Sequence, residues 1–316
     1  MFGMMRAIWT GVVMGLLDGK VVAVTGAGRG VGRAIALECA AQGARIVVND
    51  LGGAPDGGGA NAEPAHEVVA EINALGGAAV ANVASITDPA GALSIVEDAV
   101  SHFGRIDAVV NNAGFLRDAI FHKLSHADWN AVLDVHLNGY FYVSKAAAPH
   151  FKEQGSGAFV HFTSTSGLIG NFGQANYSAA KLGVVGLSTA IALDMQRFGV
   201  RSNCIAPFAW SRLVATIPTD TVEQRARVER MKQMTPEKIA PLTAFLCSDA
   251  AGEVNAQIFG VRKNEIYLFS RPQVLRSAHR SDGWTVESIT AELVPAFRSS
   301  FQKLTRSPEV FSWDPI

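Results

Sequence analysis

The sequence predicts an α/β protein made of one doubly wound parallel sheet, with a C-terminal extension. Three observations carry this. Short apolar runs alternate with helical segments along most of the chain, the rhythm of a parallel sheet with helices on both faces. The runs are apolar throughout, as in Asp107-Ala-Val-Val-Asn111, which suits strands buried on both sides. Glycine is concentrated: of 31 residues, ten fall between Gly26 and Gly59, where backbone must approach something closely.

The elements come in order. Val21 to Thr25 is the first strand, and it ends in the glycine cluster. Val31 to Gln42 is a helix with Ile35, Ala36, Cys39 and Ala40 at helical spacing, stopped by Gly43. Arg45 to Asp50 is the second strand, Leu51 to Ala62 a polar loop, and Glu63 to Leu75 a helix closed by Gly76-Gly77. Ala79 to Val83, Pro89 to Phe103 and Ile106 to Asn111 continue as strand, helix, strand. Ala127 to Phe151 reads as one long helix, Ala158 to Thr163 as the fifth strand, Tyr177 to Phe198 as a helix and Arg201 to Ala206 as the sixth strand. Residues 208–234 are a looser, partly helical excursion, read as a lid; Pro236 to Ser248 is a further helix and Gln257 to Ser270 supplies one or two last strands. Residues 271–316 form the extension, with a helix between Thr285 and Phe301.

Length alone, 316 residues, suits two domains at about 150 residues each. No linker or repeat interrupts the alternation, so one catalytic domain over 15–270 is expected. Residues 1–14 are read as an N-terminal extension, of the kind an upstream start codon adds; the apolar Met1 to Leu17 stretch is too short for a comfortable membrane span. Basic and acidic residues nearly cancel, 27 against 28, which argues against nucleic acid or an anionic membrane as partner. Cys39, Cys204 and Cys247 are odd in number and widely spaced, with no CxxC. No disulfide framework and no metal site are expected, and a cytoplasmic setting is the resulting expectation.

The glycine cluster reads Thr25-Gly-Ala-Gly-Arg-Gly-Val-Gly32 between a strand and a helix. A GxGxxG spacing fails in every frame; TGxxxGxG fits. Such glycines let a pyrophosphate approach a helix N-terminus, whose free N–H groups and dipole favour an anion. Asp50 ends the second strand, 18 residues after Gly32. A carboxylate there accepts both adenosine ribose hydroxyls and repels a 2′-phosphate, favouring NAD. Arg29 pulls the other way, toward NADP, and is weighed less because a 2′-phosphate would lie against Asp50.

Tyr177 and Lys181 are four apart on a helix and share a face. A cation beside a phenol lowers its pKa, which makes the pair a proton acceptor for alcohol oxidation. Ser164 lies 13 residues before Tyr177, at a strand end, where its hydroxyl orients the reacting oxygen. Together, Thr25-Gly-(x)3-Gly-x-Gly32, Asn111-Asn-Ala-Gly114, Ser164 and Tyr177-(x)3-Lys181 resemble the short-chain dehydrogenase/reductase family over about Leu17 to Asp249. The resemblance implies a Rossmann-like fold that binds NAD(P), with Tyr177 as general acid/base. Lys181 would lower its pKa and hold the nicotinamide ribose, and Ser164 would polarise the substrate oxygen. Carried over residue by residue, it implies cofactor contacts at Gly26, Arg29, Gly30, Val31, Asp50, Ser85, Asn112, Ala113, Gly114, Tyr177, Lys181 and Pro207. It also implies a homodimer or homotetramer.

A narrower resemblance rests on Val48-Asn-Asp-Leu-Gly-Gly53, Asn111-Asn-Ala-Gly-Phe-Leu-Arg-Asp118, Val135-His-Leu137 and Gly170-Asn-Phe-Gly-Gln-Ala-Asn-Tyr-Ser-Ala-Ala-Lys181. These look like the (3R)-hydroxyacyl-CoA dehydrogenase unit of multifunctional enzymes of type 2, also known as a 17β-hydroxysteroid dehydrogenase, and its stand-alone bacterial relatives. The family's usual helix Asn is His136 here, so a proton relay through His136 and a merely packed histidine both stand. Its Pro-Gly after the sixth strand is Pro207-Phe208, and its adenine-side acid is replaced at Ala84-Ser85. Phe208, Trp210 and Leu213 are expected to wall an apolar substrate, a hydroxysteroid or a 3-hydroxyacyl-CoA; packing against the core is the competing reading. Arg225, Arg227, Arg230 and Lys232 would meet coenzyme A phosphates or form a solvated face. The expected reaction is NAD-linked interconversion of a secondary alcohol and a ketone. The alternatives are a 3-oxoacyl thioester reductase using NADPH and a non-catalytic dinucleotide-binding regulator.

Overall fold

The computed structural model describes residues 15–54, 57–209 and 221–316. The expected N-terminal extension over 1–14, Trp210 and Leu213 lie outside the described residues, as does the middle of the expected lid. Eight strands form one sheet: β1 (Val21–Thr25), β2 (Arg45–Asn49), β3 (Ala78–Asn82), β4 (Ala108–Asn111), β5 (Gly157–Phe162), β6 (Val200–Phe208), β7 (Ile258–Arg262) and β8 (Glu265–Phe269), in the order β3-β2-β1-β4-β5-β6-β7-β8. The sheet is parallel, as expected, from β3 through to β7, and at its edge β8 runs antiparallel to β7. Only Lys263 and Asn264 join them, with Lys263 at φ 57. A link that short makes a hairpin and cannot make the crossover that parallel strands need.

The helices are α1 (Gly30–Ala41), α2 (Glu63–Ala74), α3 (Pro89–Phe103), α4 (His126–Leu133), α5 (Tyr140–Gln154), α6 (Thr165–Leu168), α7 (Ala175–Met195), α8 (Val222–Lys232), α9 (Ala240–Cys247), α10 (Val286–Ser288), α11 (Val294–Phe297) and α12 (Ser307–Val310). The single helix expected over Ala127 to Phe151 is corrected to α4 and α5 joined by a π turn, Asp134–Gly139. A π turn inserts a residue into the coil and rotates the facing of the next helical turns. Here it buries His136 and Gly139, and a Cβ at Gly139 would lie 2.8 Å from the Ile86 side chain. By length and apolarity α7 with the turn after it could cross a membrane; in this fold it buries Asn176, Lys181 and Ser188.

Alternation along β1 divides the core. Val22 and Val24 face a cluster with α1 and α9, while Val21 and Ala23 face one with α3, α5 and α7. Successive side chains of a strand point to opposite faces, so a strand covered on both sides must be apolar at every position. Asp107 ties the sheet together at its lower end. Its carboxylate accepts the Val21 N–H at 2.9 Å and pairs with Arg105 at 2.6 Å, and its own backbone bonds Val21 and Ala158. Asp107→Ala therefore strands a buried N–H and should cost about 1–3 kcal/mol. Chemical denaturation measures this, and an unchanged midpoint would contradict the clamp.

Candidate active site

The site is built at the carboxyl ends of the strands, where β1 lies beside β4. Gly26 (φ 63) brings the chain so close to β4 that a Cβ would lie 2.7 Å from the Ala113 Cα. At Gly32 a Cβ would lie 2.1 Å from the Gly26 carbonyl oxygen. Glycine is therefore required at both positions. No side chain caps α1, because Arg29 at its N-cap carries donors and no acceptor. The first-turn N–H groups are left for an anion. Gly30 (φ 53) has open space around it, Val31 packs at the rim of the core, and Arg29 is exposed. This cradle fits a dinucleotide pyrophosphate.

Asp50 comes directly after β2 and faces the same loop. Its two carboxylate oxygens accept the Gly28 N–H at 2.7 Å and the Gly52 N–H at 2.6 Å. The second bond needs Gly52 to be glycine: its φ is 75, and a Cβ would lie 1.7 Å from the Asn61 carbonyl oxygen. Held this way, Asp50 keeps a fixed orientation beside the cradle. Ser85 bonds Thr87 at 2.8 Å, so its hydroxyl is engaged in a local turn. Pro207 stands within β6 opposite Val261.

The Asn111–Gly114 segment braces the site from behind. The Asn112 amide donates to the carbonyls of Thr25 at 3.1 Å and Gly26 at 3.0 Å, and the N–H groups of Asn112 and Ala113 donate to the Thr25 hydroxyl. Asn111 donates to Ser144 at 3.0 Å. Gly114 leaves room for His136, whose Cε1 would stand 2.1 Å from a Cβ there.

The proposed catalytic side chains meet above β5. Ser164 caps α6, and its oxygen accepts the Ser166 N–H at 3.1 Å. Its own proton is thereby free for an acceptor, and its hydroxyl acts on the Tyr177 phenol by lowering its pKa. Asn176, buried, accepts the Tyr177 N–H at 2.8 Å and ties the start of α7 to the carbonyls of Arg117 and Asp128. The Lys181 ammonium lies 5.7 Å from the Tyr177 ring centre. It donates to the Phe162 carbonyl at 2.6 Å and to the Tyr140 hydroxyl at 3.1 Å. Tyr140 in turn donates to the Ala113 carbonyl at 3.0 Å.

The expected lowering of the Tyr177 pKa by Lys181 is corrected for this geometry. Burial pushes the phenol up to about 12, against the opposing pull of the Ser164 hydroxyl, and a nearby Asp118 charge adds to the rise. Burial also brings Lys181 down to about 7. A lysine that is costly to charge is a weak neighbour for a phenolate. His136 is buried with its pKa lowered, first by burial and then by Lys181. Its Nε2 lies 2.7 Å from the Phe115 carbonyl and 3.1 Å from the Phe115 N–H, so it donates to the first or accepts from the second according to its tautomer, and its Nδ1 has no partner. Its ring meets the Tyr177 ring edge-on at 5.1 Å, while Lys181 bonds Tyr140 and not His136.

Three contributors escaped the sequence reading. Tyr140 holds Lys181; its only signal was its place in the same helical run as His136. Gly52 orients Asp50. Gln174 links Ser166 at 2.8 Å to Asp118 at 2.9 Å, and burial raises the Asp118 pKa. Of the expected substrate residues, Phe208 ends β6 and lines a cavity of about 600 Å³ with Thr165 and Ser166. In the basic excursion, Arg230 pairs with Asp314 and Lys232 with Glu229.

Known proteins share this architecture. The family model described as short chain dehydrogenase matches residues 20–216. Peroxisomal multifunctional enzyme type 2 of Mus musculus is 47% identical over 245 residues, 77% of this chain; the match spans only 32% of that protein. A hydroxyacyl-CoA dehydrogenase of Mycobacterium tuberculosis is 37% identical over 291 residues, 88% of each chain. The crystal structure of a short chain dehydrogenase from Mycobacterium avium superposes with a TM-score of 0.80 at 35% identity, covering 92% of this chain and 99% of the other.

The buried lysine has a thermodynamic consequence. Its pKa is about 7 in the folded chain against an ordinary value of 10.5. Between these values the unfolded chain holds the proton that the folded one has released, so stability rises with pH across that window. Lys181→Met should remove this part of the rise in the denaturation midpoint across the same window. Identical pH dependence in parent and variant would refute it.

Proposed function

The chain belongs to the short-chain dehydrogenase family, and we propose that it oxidises the 3-hydroxyl of an acyl-CoA thioester with NAD. The observation that carries the chemistry is the Lys181 ammonium held 5.7 Å from the Tyr177 ring centre by the Phe162 carbonyl and the Tyr140 hydroxyl, with the Ser164 hydroxyl acting on the same phenol. Members of the family bind a nicotinamide dinucleotide, which when bound supplies the hydride acceptor. Gly26, Gly30, Gly32 and the open end of α1 would hold its pyrophosphate, and Asp50 its adenosine ribose. Ser164 donates to the alcohol oxygen and fixes it against Tyr177. Tyr177 takes the hydroxyl proton as its phenolate; its raised pKa opposes forming that phenolate until a positive charge is nearby. Lys181, held by the Phe162 carbonyl and the Tyr140 hydroxyl, supplies that charge in its protonated form.

The acyl-CoA reading draws on the hydroxyacyl-CoA dehydrogenase of similar length; a hydroxysteroid is the second reading, from the apolar cavity behind Thr165 and Ser166. Exposed Phe141, Leu182 and Leu193 on α5 and α7 support a homodimer or homotetramer. The three buried, unbridged cysteines support a cytoplasmic setting.

NADH absorbance with a 3-hydroxyacyl-CoA and, separately, with 17β-estradiol tests the substrate. Turnover of the thioester is expected, and turnover of the steroid alone would replace the reading. Tyr177→Phe should lose about 100-fold or more of the rate while still binding NAD; a rate close to the parent's would reject the assignment. NAD should be preferred over NADP, and Asp50→Asn, which removes the charge and keeps the shape, should narrow that preference. A parent that favours NADP would overturn the role of Asp50.

A further inference from the structure

The last residues of the chain return to the site. Ser307, at the start of α12, is buried: its hydroxyl lies 2.6 Å from that of Thr165, next to Ser164, and its N–H donates to the Gly170 carbonyl at 3.0 Å. At the other end, the buried Arg262 guanidinium donates to the Trp313 carbonyl, the Trp313 indole donates to Glu265 at 2.9 Å, and the Asn264 N–H donates to the Ile316 carbonyl at 3.0 Å. Asp314 pairs with Arg230 of α8 at 2.8 Å. This segment therefore spans from the loop after Ser164 to the β7–β8 turn and touches the one described helix of the expected lid. Between these anchors Phe311 stands against Phe208 at 4.8 Å and Tyr267 at 5.2 Å.

The segment encloses the cavity of about 600 Å³ behind Thr165 and Ser166. The chemistry of its lining selects an occupant. Three arginines border it, and each is matched within the chain: Arg230 by Asp314, Arg262 by Glu265 and the Trp313 carbonyl, and Arg306 by Glu309. With the arginines matched, Phe208, Met231, Met234, Phe311 and Trp313 make up most of the remaining lining beside a few neutral polar groups, Thr165, Ser166 and Asn171 among them, and this mainly apolar, uncharged surface suits hydrocarbon better than an anion.

We propose that residues 306–316 form the distal wall of the substrate pocket, and that Phe311 selects a thioester with a long or bulky acyl group over a short one. The proposal rests on the acyl-CoA reading above and adds the acyl class. A Phe ring buried against hydrocarbon strengthens binding roughly tenfold or more. The exposed Arg230–Asp314 pair adds little energy and serves to place the segment.

The test measures binding and turnover separately, on the full chain. Equilibrium binding of the unreactive palmitoyl-CoA and butyryl-CoA is compared in the parent, Phe311→Ala and Phe311→Leu. Phe311→Ala should weaken palmitoyl-CoA roughly tenfold and leave butyryl-CoA unchanged, while Phe311→Leu, which keeps apolar bulk, should recover most of the loss. Equal weakening of both thioesters, no weakening of either, or failure of palmitoyl-CoA to bind the parent would overturn the wall. Turnover of the corresponding 3-hydroxyacyl-CoA esters is then read with NAD. Chain-length-dependent binding without turnover would keep the wall and sink the proposed reaction. Turnover insensitive to Phe311 would keep the reaction and sink the wall.

Discussion

Parallel pairing of β1 with β4, where the strand order reverses, forces the two chains leaving those strands toward opposite faces of the sheet. The crevice this opens is where ligands bind in such sheets, and the rest of the site depends on how tightly it is held. Gly26, Gly32 and Asn112 close the backbone to contact distance on one side of it. Gly114 and His136 pack on the other. A side chain at any of these glycines would strike backbone or a buried ring, so the cradle for a dinucleotide and the support for the catalytic helix share one constraint.

Burial is the dominant electrostatic fact at the reacting end. Lys181, Tyr140 and His136 are almost wholly enclosed, and the phenol of Tyr177 is desolvated with them. Desolvation favours neutral forms, which is why Tyr177 rises and Lys181 falls. The bonds that hold the lysine, to Tyr140 and the Phe162 carbonyl, keep its ammonium in place beneath Tyr177. Ser164 takes its direction from the turn of α6 that it caps, so the proton it offers is set by backbone rather than by chance rotamers.

The far side of the pocket is made from pieces remote in sequence. The end of β6, the helix α8 and the final residues meet there because the chain, after β8 has run back to the far edge of the sheet, returns to the β7–β8 turn and is held by Arg262 and Asn264. Arg230 and Arg306 pair with carboxylates of that returning segment and Arg262 with Glu265 of β8, and hydrocarbon and aromatic rings make up much of the remaining lining.

The order of strands and helices, the cradle glycines and the Ser164, Tyr177, Lys181 set were legible in the sequence because each depends on local signals: apolar runs, helical spacing and glycine where a Cβ cannot fit. The antiparallel turn of β8, the π turn before Tyr140 and the seating of Lys181 on Tyr140 were not. Ser307 and Thr165 stand 142 positions apart, and nothing within a short window of sequence relates them. The Tyr177 and Lys181 pKa values likewise depend on how many neighbours exclude water, a property of packing. Sequence by itself determined which groups could do the chemistry; only the tertiary structure decided what surrounds them, because dielectric, hydrogen-bond partners and pocket walls come from residues brought together by folding.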